Sequence, residues 1–272
     1  MSRLAIALLA ASSLAACATS GQQHASVDPS AGAQQPDHQT RTAANRQPDR
    51  RARAAVAHQD MLTQMAFWAG EYDTFPNDLE AAQKFSECLR LAGRQDRAVA
   101  VAGEALQRFP QDPALLRTYG LSQIANKNPQ EALRPLALLA AADPHDWKAR
   151  NALGAALDQL GRFSEARQAY QEALTIQPNE VSVVTNEGVS HLLEGDPAAA
   201  EPILRQAVAM PNAPAEARQN LAIALALQGK FSEAEQLERV DLPPAQVASN
   251  MQYLRGLLSD PHRWGDVAHN GR

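Results

Sequence analysis

Aromatic residues make up only 5% of this 272-residue chain, and it has two cysteines, Cys17 and Cys88. A redox or metal role for either thiol needs a partner Cys or His at ligand spacing, and none is present. No Lys/Arg cluster marks a nucleic-acid groove, and no acidic run marks a charged tail; the net charge is a mild −5. The apolar run Leu4–Ala16 falls far short of the roughly 20 residues that span a bilayer as a helix. His-Glu-x-x-His and Gly-x-Ser-x-Gly are both missing. Gly229-Lys230 resembles the end of a phosphate loop, but Ala224 stands where the upstream Gly belongs and Phe231 where the hydroxyl belongs. The histidines are scattered, and the His262/His269 pair in the tail has no third ligand beside it. Glu104, Glu172 and Asp158 lie on helical faces and are expected to be solvated surface carboxylates. With no local nucleophile–base or metal motif, the expectation is a non-enzymatic chain. No cofactor, metal, nucleic acid or small-molecule substrate is expected.

What the chain does have is alanine at a fixed period. Ala98, Ala132, Ala166, Ala200 and Ala234 are each 34 residues apart. Gly93, Lys127, Gly161, Gly195 and Gly229 keep the same spacing, as do Gly120, Gly154 and Gly188. Pro76, Pro110, Pro144 and Pro178 follow it too, with Pro211 one residue early. A period of this length predicts an all-α solenoid of antiparallel helix pairs. Full repeats are expected at 79–112, 113–146, 147–180 and 181–214, with a partial fifth at 215–242.

Each periodic residue has a physical reason. Gly154 and Ala166 belong where two helices cross and a larger side chain would force them apart. Gly161 follows helix A, where a left-handed residue is needed. Pro178 stops helix B. Asn128-Pro129 and Asp196-Pro197 read as N-cap and first-turn pairs of their B helices, and Pro135 and Pro202 then fall inside those helices. Ala54 to Tyr72 is expected as a helix in the second-helix position of a degenerate leading repeat. A helix at 245–259 is expected to cap the other end of a solenoid spanning 51–259. The 260–272 tail reads as poorly ordered, apart from a docking contact by Trp264. Cys88 reads as a small buried hydrophobe.

The third repeat, WKARNALGAALDQLGRFSEARQAYQEALTIQPNE, resembles the tetratricopeptide repeat. Leu153-Gly154, Ala166, Tyr170, Ala173 and Pro178 stand at its motif positions, while Arg150 replaces its Trp. In that family ligands lie along the A helices, at the second, fifth, sixth, ninth, twelfth and thirteenth repeat positions. Asp158 falls at one of these. The resemblance implies a peptide groove built from Arg117, Leu121, Lys148, Asn151, Gln159, Thr185, Asn186, Val189, Gln219, Asn220 and Ile223. Its amides could hold an extended peptide by the backbone. The Lys/Asn clamp for a terminal carboxylate is incomplete, since only Lys148 and Asn151 match it.

The N-terminus has a different character. Arg3 precedes the Leu4–Ala16 run, which reads as a secretory signal. Leu14-Ala15-Ala16-Cys17 resembles a bacterial lipobox. The resemblance implies removal of residues 1–16 and lipidation of Cys17, and with Ala18 rather than Asp next, sorting to the periplasmic face of the outer membrane. Residues 17–50 are polar and cannot bury enough apolar surface to order themselves. They read as a tether with an r.m.s. span of roughly 30 Å.

Lipobox, tether and repeats together resemble the TadD-like lipoproteins of tight-adherence (Flp) pilus systems. The closing stretch carries this best, through Asp241-Leu242-Pro243-Pro244 and Asn250-x-x-Tyr253-Leu254. The resemblance implies a pilus assembly factor whose partner is the secretin or another pilus subunit. The same anchor and repeats also fit other adaptor lipoproteins, such as a type IV pilus pilotin or a regulator of cell-wall enzymes.

Overall fold

A computed structural model describes residues 49–259. Among them every regular element is a helix: α1 (Arg50–Val56), α2 (Met61–Thr74), α3 (Leu79–Leu91), α4 (Gln95–Arg108), α5 (Pro113–Ala125), α6 (Pro129–Ala142), α7 (Trp147–Gln159), α8 (Phe163–Ile176), α9 (Val181–Glu194), α10 (Pro197–Ala209), α11 (Ala215–Leu227), α12 (Phe231–Glu238) and α13 (Pro244–Leu258). Cys17, the tether and the tail with Trp264, His262 and His269 lie outside the described residues.

The period is visible in the backbone. Gly93, Lys127, Gly161, Gly195 and Gly229 all have positive φ, from 63° to 92°. Each follows an A helix and lets the chain reverse into a B helix. Lys127 does this with a side chain, which costs energy that glycine avoids. The alanine series is fully buried at the A/B crossings: Ala98, Ala132, Ala166, Ala200 and Ala234 are all 0% exposed. The second glycine series fills the same seam. A Cβ on Gly120 would stand 2.7 Å from Leu136 Cγ, and one on Gly188 would stand 2.6 Å from Leu204 Cγ. On Gly154 it would collide with the ring of Tyr170. Real Cβ atoms do not approach so closely, so these residues set the helix separation.

Successive A helices (α3, α5, α7, α9 and α11) touch one another, and α13 continues that series against α11. The B helices pack chiefly on the A helices either side of them. The stack therefore curves with the A helices on its inner face, and the buried clusters run along its length.

Two local expectations need correction. The single helix at Ala54–Tyr72 is two helices, α1 and α2, broken at 57–60. Asp60 causes the break: its carboxylate accepts from the backbone N–H groups of Leu62 and Thr63 at 3.0 Å and from the Thr63 hydroxyl at 2.6 Å, which starts a new helix. Asn128 precedes Pro129 but makes no side-chain cap, and its amide donates instead to Gln123 Oε1 at 3.3 Å. Asp196 does cap, accepting from Ala199 N at 2.9 Å. α6 and α10 continue through Pro135 and Pro202. Cys88 is buried in the first cluster.

Candidate functional site

Helix starts on the inner face are tied to one another. Asp78, Asp112 and Asp146 each cap the A helix that follows them, accepting from Ala81 N, Leu115 N and Ala149 N at 2.8–3.0 Å. The preceding repeat reaches back to each cap. Arg53 donates to Asp78 at 3.0 Å, Gln83 to Asp112 at 2.8 Å and Arg117 to Asp146 at 2.8 Å. The position then changes to Glu180 and Pro214, neither of which makes a side-chain cap. Arg117 is thus committed to a structural ion pair, although its side chain remains 38% exposed.

The other sequence-derived groove residues divide into two sets. Thr185, Val189 and Asn220 do not reach the surface, being 4%, 3% and 6% exposed. At that burial they cannot contact a ligand in this conformation. Leu121 and Ile223 are half-buried against neighbouring core residues. Gln159 and Gln219 are also half-buried, and Lys148 is exposed, its ammonium 5.5 Å from the Trp147 ring centre. Asn151 and Asn186 come together: Asn186 Nδ2 donates to Asn151 Oδ1 at 2.9 Å across the α7–α9 gap. Of the sequence-derived groove residues, Arg117, Leu121, Lys148, Asn151, Gln159, Asn186, Gln219 and Ile223 keep some exposure.

Asp158, expected on the surface, is buried at 6% exposure. It accepts from the Tyr170 hydroxyl on α8 and the Ser190 hydroxyl on α9, each at 2.7 Å. Burial pushes its carboxyl from 3.8 to about 7, against the opposing pull of these two hydrogen bonds and of Arg167. Burial, with the nearby carboxylate, also raises the Tyr170 phenol well above its usual range. The register carried a signal for this. Asp158 stands one repeat from Leu192, and Ala226 lies one repeat further on, both 0% exposed.

A second feature escaped the sequence reading. Arg50, Arg53, Gln64, Trp68, Glu80 and Lys84 line a pocket of about 490 Å³ beside α1 and α3, together with Ala54 and Ala57. Arg53 is only 7% exposed and also donates to Glu71 at 2.6 Å and Glu80 at 2.7 Å. Burial disfavours its charge, but the hydrogen bonds to Glu71, Glu80 and Asp78 outweigh that and raise its pKa. Its guanidinium carbon lies 5.4 Å from the Trp68 ring centre. Glu80 and Lys84 hold the second and sixth positions of the first repeat, so carrying the ligand positions back by one repeat would have found them.

Family models described as the tetratricopeptide repeat match residues 89–146, 120–181 and 191–258. The helix pairs are tetratricopeptide repeats. A repeat protein of Pseudomonas aeruginosa, TPR repeat-containing protein PA4667, is 29% identical over 124 residues, which is 45% of this chain and 21% of that protein. The chain thus spans about a fifth of that relative's length. The solved tetratricopeptide-repeat protein TTC0263 of Thermus thermophilus shares 23% identity, with a TM-score of 0.54 over 69% of this chain and 97% of its own. MamA of Desulfovibrio magneticus RS-1 shares 21% identity, with a TM-score of 0.53 over 58% of this chain and 89% of its own. These two likenesses are likenesses of fold. The tetratricopeptide solenoid is a protein-interaction scaffold, and an inner face edged with amides and apolar side chains suits that use.

Proposed function

We propose that this chain is a lipid-anchored adaptor at the periplasmic face of the outer membrane and an assembly factor for a tight-adherence (Flp) pilus, acting on the secretin in the manner of a pilotin. The observation that carries this reading is the pairing of Leu14-Ala15-Ala16-Cys17 at one end with the TadD-like closing stretch at the other. The closing residues have definite structural work. Arg218 grips Asp241 with two hydrogen bonds of 2.7 Å, fixing the turn between α12 and α13. Leu242 and Tyr253 pack against the last core cluster, and Asn250 holds Glu238.

On this reading Cys17 carries the lipid and residues 17–50 act as the tether. The inner face around Asn151, Asn186 and Gln219 holds an extended segment of a pilus subunit. Confinement to one membrane raises the effective concentration of both partners, so a weak groove contact is enough. Deleting the gene and following secretin multimers tests the proposal. It expects fewer multimers or mislocated ones, with Cys17→Ala failing to restore them. Multimers unchanged in amount and location would contradict it.

A further inference from the structure

The Asp158 cluster lies at the middle of the stack and ties three helices from two repeats. Asp158 is on α7, Tyr170 on α8 and Ser190 on α9, and both hydroxyls are within 2.7 Å of the carboxyl. A charge taken this far from water needs a paired cation to offset its lost hydration. Among the described residues no Lys or Arg nitrogen lies within 4.0 Å of it. The cation acting on it most, Arg167 of α8, is already paired with Glu194 of α9 at 2.7 Å. His191 of α9 shares that neighbourhood, and burial together with Arg167 lowers its pKa. On α6, which packs against α7, Glu131 and Arg134 are exposed, and Arg117 of α5 is committed to Asp146.

Both hydroxyls donate to the carboxyl and so favour its ionised form, but burial without a paired cation outweighs them and favours the protonated one. The same α7–α9 gap is bridged a little further along by the Asn186–Asn151 hydrogen bond. Asn151 and Asp158 are seven residues apart on α7, and Asn186 and Ser190 are four apart on α9, so both bridges lie on the same helix faces. Loosening one bridge therefore strains the other.

We propose that the junction between the third and fourth repeats is a proton-operated joint, closed while Asp158 is protonated between Tyr170 and Ser190 and loosened when Asp158 ionises. The direction follows from linkage. The folded state holds this proton more tightly than the unfolded chain does, so the contribution is full below the unfolded carboxyl's 3.8 and is lost as pH rises from there through about 7. The joint depends on the repeats alone, whatever partner the inner face takes.

The test is Asp158→Asn, which keeps the shape and removes the charge, in the full-length protein solubilised in mild detergent. The difference in melting temperature between the two proteins at pH 5.5 sets the baseline. At pH 8 the variant should melt higher by about 4–8 °C relative to that baseline. Amide hydrogen exchange in α7–α9 of the wild type, corrected for intrinsic rate, should rise over the same pH range and stay flat in the variant. A melting difference independent of pH, or one that moves against the variant as pH rises, overturns the proposal. The ¹³C-labelled side-chain carboxyl of Asp158 in the wild type gives a check that does not depend on the variant folding. A titration midpoint above about 6 supports the joint, and a midpoint below that overturns it.

Discussion

Asn186 on α9 donates a hydrogen bond to Asn151 on α7 at 2.9 Å, although the two are 35 residues apart in the chain. Each amide keeps further hydrogen-bonding capacity toward the inner face. Asn186→Ala removes the bridge and should cost about 1 kcal/mol of stability, the typical net worth of such a bond. Chemical denaturation measures that loss. If the inner face holds the partner, the substitution should also weaken partner binding by more than a comparable exposed B-helix substitution such as Gln168→Ala.

The A/B seam predicts opposite outcomes for two glycines. Gly154→Ala places a methyl into the Tyr170 ring and should destabilise the third repeat by about 1–3 kcal/mol. Gly70 lies in α2 with nothing within 4 Å of a built Cβ. There Gly70→Ala should stabilise by about 0.5–1 kcal/mol, through the entropy glycine loses in a helix. Urea midpoints of the two variants give the comparison.

Lys127 occupies a left-handed position, φ 63°, that glycine fills in the other repeats. Lys127→Gly relieves backbone strain of about 1–2 kcal/mol, partly offset by the freer unfolded chain. The net expectation is a small gain in stability, below about 1 kcal/mol. Gly161→Ala, at φ 72°, should move stability the other way.

Glu238 is 4% exposed and meets only the Asn250 amide, at 3.1 and 3.2 Å. Burial raises its pKa, opposed by that hydrogen bond. Because the folded state holds the proton more tightly, its contribution to stability falls as pH rises past its unfolded value. Glu238→Gln should therefore gain on the wild type in melting temperature between pH 5 and pH 8. A constant difference across that range would mean that ionisation of Glu238 plays no part.

The fold was legible because its signal is repetitive. Ala166, Gly154 and Gly161 each name a steric requirement, and repetition at 34 residues separates that requirement from chance. The inner face was less legible. Ligand positions describe where a helix surface points in an average repeat, whereas burial depends on the next helix in the stack. Thr185, Val189 and Asn220 sit at ligand positions, yet all three are buried. Asp158 was misplaced because a carboxylate on a helix is ordinarily solvated, and only alignment with Leu192 and Ala226 exposes the exception. The cap ties from Gln83 to Asp112 and from Arg117 to Asp146 join residues about 29 positions apart. No local pattern announces such pairs.

On the proposed function, the inner face and not the outer one engages a protein partner. Photo-activatable cross-linkers placed in cells at Lys148 and Gln219, with Gln168 on α8 as the outer-face control, test it most directly. Discrete protein adducts are expected from the two inner positions and none from Gln168. Adducts from Gln168 alone, or equal adducts from all three, would contradict it.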